Sequence, residues 1–159
     1  MTMYELPLQT ARALLAKWGS ETTTPEPNRL DVAIQPADLL PAVTALQEAR
    51  WGYLAAITGL DLGAESQTIE VLYQFCAGAA VVTLRVRVPY SAATVASICG
   101  IIPSASFFER ELIEMLGVSI EGTPSSAHLF LPDNWPAWVY PLRKSFVAEN
   151  VTHAPEGTV

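Results

Sequence analysis

Residues 68–88 read TIEVLYQFCAGAAVVTLRVRV. Two runs rich in β-branched and aromatic residues, Thr68–Phe75 and Ala80–Val88, flank Ala77-Gly78. That is the signature of two strands joined by a hairpin turn. In the second run Val82, Leu84, Val86 and Val88 alternate with Thr83, Arg85 and Arg87. Side chains on a strand point alternately to opposite faces, so one face is apolar and the other is wet or partner-facing. Pro89 stops the strand, because proline has no N–H for a ladder.

Working outward, Tyr53–Leu60 reads as a third strand, separated from the hairpin by residues 61–66. Leu30–Ile34 is a short alternating strand, and Thr22–Asn28 before it is a turn-rich connection. Helical spacing recurs over Leu8–Trp18, with Leu8, Ala11, Leu14, Leu15 and Trp18 on one stripe and Gly19 as the stop. Pro36 opens a second helix carrying Leu39, Leu40, Val43, Leu46 and Ala49 and ending near Gly52. A short helix is expected from Ser91 through Ile98. The clearest helix follows, with Phe108, Leu112, Met115 and Leu116 on one stripe and Gly117 as terminator. Ser106 and Glu109 have the spacing of a capping box at its start. The expected order is α-β-α-β-β-β-α-α. That is an α+β domain over residues 1–117, a small mixed sheet with helices packed on it.

Beyond Gly117 the pattern changes. Residues 118–159 hold Pro124, Pro132, Pro136, Pro141 and Pro155 together with Phe130, Trp135, Trp138, Tyr140 and Phe146. No long period survives there. Irregular segments of this length are uncommon inside a domain, and tryptophan-rich ones are not typical of disorder. The segment reads as an extended arm that lies against something, either its own sheet or a partner, and its prolines, which leave it too broken to build a core of its own, favour the partner.

Composition narrows the function classes. The chain has 159 residues, 50% hydrophobic and 16% charged, with net charge −7. One domain with a real core is expected. The acidic balance argues against nucleic acid and against direct docking on anionic lipid. No apolar run approaches the roughly 18 residues of a membrane span. Met1–Leu6 lacks the basic and apolar regions of a signal peptide, so a reducing compartment is expected.

Candidate chemistry is sparse. Cys76 and Cys99 are the only cysteines and form no CxxC pair. They are too few for an iron–sulfur cluster and sit among small or apolar neighbours, so both are read as small buried hydrophobes. His128 and His153 lie outside any zinc-finger spacing. No nucleophile elbow and no glycine-rich phosphate loop occurs. Glu109, Arg110 and Glu111 are successive on one helix and point about 100° apart, so the two carboxylates do not converge on a substrate. Arg110 can pair with Glu114 four residues on, or each charged edge can lock a different neighbour. Arg143-Lys144 is a compact basic point, either a solvated pair or an anchor for carboxylates on a partner.

Four collinear segments resemble one family. Phe108–Val118 (FERELIEMLGV) is similar to the W-x-E-R-E-x-x-D-M-F-G-I signature of the respiratory complex I 30-kDa subunit family, the C and J subunits of NADH-quinone oxidoreductases. Glu121–Pro124 resembles its E-G-H-P, Leu129–Trp135 its I-L-L-P-x-D-W, and Pro141–Phe146 its P-L-R-K-D-F. Thr123 replaces the family histidine, Ala127 and His128 stand where two arginines are usual, and Ser145 replaces aspartate. The run Trp135–Pro141 is more similar to the W-P-x-G-V-Y-P of homologous subunits in energy-converting membrane-bound hydrogenases.

The resemblance implies a cofactor-free subunit at the inner, cytoplasmic face of a membrane complex. It would pack on the large catalytic subunit (49-kDa-type, or a hydrogenase large subunit) and neighbour the ferredoxin-like iron–sulfur subunit. Glu109, Arg110, Glu111, Trp135, Trp138, Arg143, Lys144 and Phe146 are the expected partner contacts. The rival from another class is a freestanding small-molecule binding domain. That reading expects a stable monomer with a filled pocket and the arm packed on itself.

Overall fold

The computed structural model describes residues 2–148 and 151. Its elements are α1 (Glu5–Leu15), β1 (Glu21–Thr23), β2 (Arg29–Ile34), α2 (Leu39–Glu48), β3 (Tyr53–Asp61), β4 (Thr68–Ala77), β5 (Ala80–Pro89), β6 (Thr94–Ala96), α3 (Ala105–Leu116) and β7 (Ser119–Glu121). Five strands form one sheet in the order β1-β2-β5-β4-β3, and β6 and β7 pair in parallel as a second, small sheet. The large sheet is mixed: β2 runs parallel to β5, and the other pairs are antiparallel. This is the expected α+β class.

The β4–β5 hairpin is the centre of the sheet, with Tyr73 opposite Leu84 and Val71 opposite Val86. Its inward residues Ile69, Val71, Tyr73, Phe75, Val82, Leu84, Val86 and Val88 are all buried. They join Leu30, Val32 and Ile34 of β2 and Ile57 of β3 in one core. The helices bury Leu8, Ala11 and Leu15 of α1, Leu39, Val43 and Leu46 of α2, and Leu112 and Leu116 of α3 in that same core. Burying one such side chain contributes about 1.5–3 kcal/mol, so this layer holds the fold together. Trp51 stitches its edge by donating its indole N–H to the Pro7 carbonyl at 2.8 Å.

Several expectations need correction. Residues 91–98 do not form a helix; Tyr90–Ala92 is a single 3-10 turn and Thr94–Ala96 is β6, paired with β7. Short apolar runs carry no period long enough to tell helix from strand, and the pairing with β7 decides. Strands β1 and β7, three residues each, were not expected. β1 is exposed throughout and β7 alternates over only three residues, so each is defined by the edge a neighbour offers. Helix α1 starts and ends three residues earlier than expected. The capping box is absent. Ser104 is the N-cap residue of α3, without a side-chain cap, and Glu109 bonds elsewhere. Cys76 and Cys99 are half-buried rather than buried.

Candidate protein-docking site

Helix α3 carries two sets of charged groups with different tasks. Glu109 is 2% exposed. Its carboxylate accepts from the Ile98 N–H at 2.8 Å, from the Ser97 hydroxyl at 2.8 and 3.0 Å, and from the Cys99 thiol at 3.2 Å. A buried carboxylate without a cation needs such donors, and here they come from one loop turn. Burial, together with the thiol's own bond to Glu109, outweighs the Ser97 hydroxyl and holds the Cys99 pKa above its ordinary value. A protonated thiol is a poor nucleophile.

The other set grips the chain beyond β7. Glu114 is 4% exposed, and its carboxylate accepts from three successive backbone N–H groups, Leu129 at 2.9 Å, Phe130 at 2.9 Å and Leu131 at 3.2 Å. One turn earlier, Arg110 donates to the carbonyls of Ala127 at 2.8 Å and His128 at 2.5 Å. Arg110 and Glu114 therefore do not pair with each other. They hold donors and acceptors of the same arm segment. Glu111 is half-buried and lines the small crevice between α3 and β3, with Gly59 and Leu142.

A second anchor lies further along the arm. The Arg143 side chain donates to the Leu116 carbonyl at the end of α3 and stacks over Tyr90 and Tyr140, 4.7 and 5.7 Å from the ring centres. The Lys144 backbone N–H donates to Asp61 at 2.8 Å, while the Lys144 side chain is exposed. Asp61 also accepts from the Gly63 N–H and the Tyr90 hydroxyl. Burial would raise its pKa, but those hydrogen bonds and nearby Arg143 win and hold it below the ordinary carboxylate value. Gly117 completes the anchor. It ends α3 in the left-handed region at φ +66°, and a Cβ there would overlap the Tyr140 ring.

The arm is thus seated on its own α+β unit, with its outer side chains left in water. Phe130 is 65% exposed and Trp138 85%. Leu142 and Val147 are exposed too, and Phe146 is half-buried. Trp135 is half-buried and its indole N–H donates to the Val139 carbonyl at 2.7 Å, closing the loop that carries Trp138. Trp138 itself has φ +70°, a conformation that costs an L-residue about 1–2 kcal/mol. Beneath this loop is a cleft of about 420 Å³ lined by Ile113, Val118, Leu131, Trp135 and Val139. Among the described residues, no three His, Cys, Asp or Glu side chains converge as a metal site. Nor, among the described residues, is any helix long and apolar enough to cross a membrane.

Of the expected contact residues, Arg110, Trp135, Trp138, Arg143 and Lys144 are gathered by one structural unit, the arm on α3. Glu109 faces away from it, into the 97–99 turn. Glu114, which sequence reasoning offered only as a helix-surface partner of Arg110, is the residue that fixes the arm. Its signal was position: an acidic side chain one turn on from Arg110, on the flank of the apolar stripe.

The family model described as "Respiratory-chain NADH dehydrogenase, 30 Kd subunit" matches residues 32–152. The chain belongs to that family. The NADH-quinone oxidoreductase C subunit of Moorella thermoacetica is 32% identical over 117 residues, covering 71% of this chain and 77% of that protein. Its counterpart in Chloroherpeton thalassium is 31% identical over 67% of this chain and 44% of its own length. The chloroplastic NAD(P)H-quinone oxidoreductase J subunit of Nuphar advena is 39% identical over 43% of this chain and 42% of its own. The matches therefore span less than half of these last two relatives. Among solved structures, a chain of the membrane-bound sulfane sulfur reductase, an archaeal respiratory membrane complex, has the same fold, with TM-score 0.77 and 18% identity over 98% of this 30-kDa-type chain and 96% of that one. The trypsin-resistant fragment of Nqo5 matches with TM-score 0.62 and 22% identity, over 76% of this chain and 97% of that one.

Proposed function

We propose that this chain is a structural subunit of the peripheral arm of a complex-I-like NADH:quinone oxidoreductase and holds no cofactor of its own. In this reading it packs on the large, 49-kDa-type catalytic subunit and lies beside the ferredoxin-like iron–sulfur subunit, at the inner, cytoplasmic face of the membrane. The observation that carries it is the arm: its backbone is fixed by Glu114, Arg110 and Arg143, while Phe130 and Trp138 stand in water. Large exposed apolar side chains on a rigid mount are the anchors that interfaces use. Trp135 lines the cleft beside Trp138, and in this reading Glu111, Lys144 and Phe146 are further partner contacts. Glu109 acts behind this surface, bracing α3. Co-purification in gentle detergent, with partners identified by mass, tests the proposal. The two named subunits should accompany the chain, and a chain that purifies alone from intact membranes overturns it.

A second reading places the chain in an energy-converting membrane-bound [NiFe] hydrogenase or a related complex. The run Trp135–Pro141 favours it, and the fold is shared with the sulfane sulfur reductase chain over nearly the whole length. Nickel in the co-purified large subunit separates this reading from the first. The freestanding binding domain draws support from the arm's seat on its own unit and from the cleft beneath it. It requires a monomer with a small molecule in that cleft, which native mass spectrometry would detect.

A further inference from the structure

Among the described residues, three other than glycine hold the backbone at positive φ: Arg50 at 51°, Gln67 at 47° and Trp138 at 70°. The first two close turns that join elements. The Arg50 N–H donates to the Gln47 carbonyl at 3.0 Å where α2 gives way to β3, and the Gln67 N–H donates to the Gly63 carbonyl at 2.9 Å just before β4. Trp138 closes no turn through its own groups. Among the described residues, neither its backbone N–H nor its indole N–H has an acceptor, and its side chain stands in water. The turn around it is firm. The Trp135 N–H donates to the Pro132 carbonyl at 2.9 Å, the Trp135 indole to the Val139 carbonyl at 2.7 Å, and the Val139 N–H to the Pro136 carbonyl at 3.4 Å. Pro136 and Pro141 fix φ on either side. Trp138 lines the cleft while remaining 85% exposed, so the indole is held outward at the cleft's mouth.

A bulky residue in the left-handed region is an outlier and is strained. Glycine takes the same backbone without strain, and the W-P-x-G-V-Y-P run to which Trp135–Pro141 is similar has glycine at this position. Burial does not offset the strain here, because the side chain packs so little on its own chain. Strain that the fold itself does not use is a mark of function. We infer that Trp138 is a specificity-determining residue, by which this chain selects its own large subunit over homologous ones. The partner it fits has an apolar recess deep enough for an indole, with an acceptor for the indole N–H. A tryptophan N–H needs such an acceptor once buried, and tryptophan is enriched among interface anchors. A large subunit shaped to lie flush on a glycine-bearing turn has no room for the ring. The one side chain thus attracts the right partner and repels the wrong one, which is how discrimination between similar surfaces is built.

The inference rests on the assembly reading above, and exchange between two complexes tests both separately. The tagged chain and its Trp138→Gly variant are expressed in two hosts that lack their own 30-kDa-type chain. One is the source of this chain, and the other is a relative whose equivalent chain has glycine at this position. Large subunit recovered with the tag in gentle detergent is measured by mass spectrometry. The parent should recover its own large subunit and at least about tenfold less of the relative's, a difference within the reach of one interface anchor. Trp138→Gly should reverse that order, with a melting temperature no lower than the parent's. Trp138→Phe, which keeps a ring but loses the indole N–H, should fall between them. A Trp138→Gly chain that recovers its own large subunit as well as the parent does overturns the inference, and so does a parent that recovers both equally. The assembly reading stands in either case. A variant that melts well below the parent shows that Trp138 serves its own fold and overturns the inference too. If the parent recovers neither large subunit, the assembly reading has failed and the selectivity fails with it.

Discussion

Glu114 shows how one buried carboxylate organises a segment that has no secondary structure of its own. Three backbone N–H groups converge on it. Hydrogen bonds to a charged group contribute about 1.5–3 kcal/mol each at most and are not additive. Glu114→Gln keeps the shape but removes the charge and puts an amide donor where acceptors are needed. The expected result is a loss of about 2 kcal/mol in chemical unfolding and new protease cleavage near residues 126–140, with the far-ultraviolet spectrum unchanged. Asp61 and Glu70 make the stability pH-dependent. Both have folded pKa values below their ordinary ones; for Glu70, burial is outweighed by the guanidiniums of Arg85 and Arg87. Their stabilisation is therefore complete above the ordinary carboxylate range and is lost as pH falls through the lower, folded values. Thermal melts should hold steady near neutrality and decline below about pH 4, with a shallower decline in Asp61→Asn. A melting temperature that stays flat into that acid range would show that neither carboxylate contributes.

At the scale of elements, α3 is where legibility was both best and most misleading. Its apolar stripe and terminal Gly117 were plain in the sequence, and Leu112 and Leu116 do pack on β3, where a Cβ at Gly59 would overlap Leu116. The same sequence offered Ser106 and Glu109 as a cap, because the local spacing is right. Tertiary demand overrode it, since the turn at 97–99 has a buried N–H that Glu109 satisfies. The hairpin β4–β5 could be read because alternation and turn lie within one window. β1 and β7 could not, because their own three residues are too few to show a pattern and pairing alone defines them. The arm was legible as an arm, and its aromatics marked it as a surface; the grip of Arg110 on residues 127 and 128 was not, since backbone carbonyls carry no sequence signature. Arg110→Ala should loosen the arm by roughly 1 kcal/mol, a modest loss because the side chain is only half-buried. Gly117→Ala should cost more, about 1–2 kcal/mol from backbone conformation alone, and it also displaces Tyr140. Hydrogen exchange across residues 126–146 would rank the two, and equal protection in both variants and the parent would mean the arm is held by something else.

For the whole molecule the useful contrast lies between what Trp138 costs and what it offers. Its side chain is nearly free of the protein, and its backbone sits in a conformation suited to glycine. Trp138→Gly should leave the melting temperature unchanged or slightly raised. In the complex the same change should weaken binding by about 2 kcal/mol or more, the size expected of an interface anchor. A thermal melt beside a pull-down with the large subunit reads both numbers. If the variant melts much lower and still binds, Trp138 belongs to the fold and not to the interface.

The parallel pairing of β2 with β5 bears on how the chain reaches this structure. β3, β4 and β5 meet through neighbours in sequence, so they can zip together early. Arg29 must find Val81, and Ile34 must find Val86, across the whole of α2 and the meander between them. Closing so long a loop costs entropy before any contact repays it. The rate-limiting ensemble should therefore hold a formed meander and a β2 still searching. Val71→Ala and Leu84→Ala would then slow refolding, while Val32→Ala would mainly speed unfolding. Until β2 docks, the flank of β5 remains an open edge, and any newly made copy of the chain is exposed to mispairing at that stage.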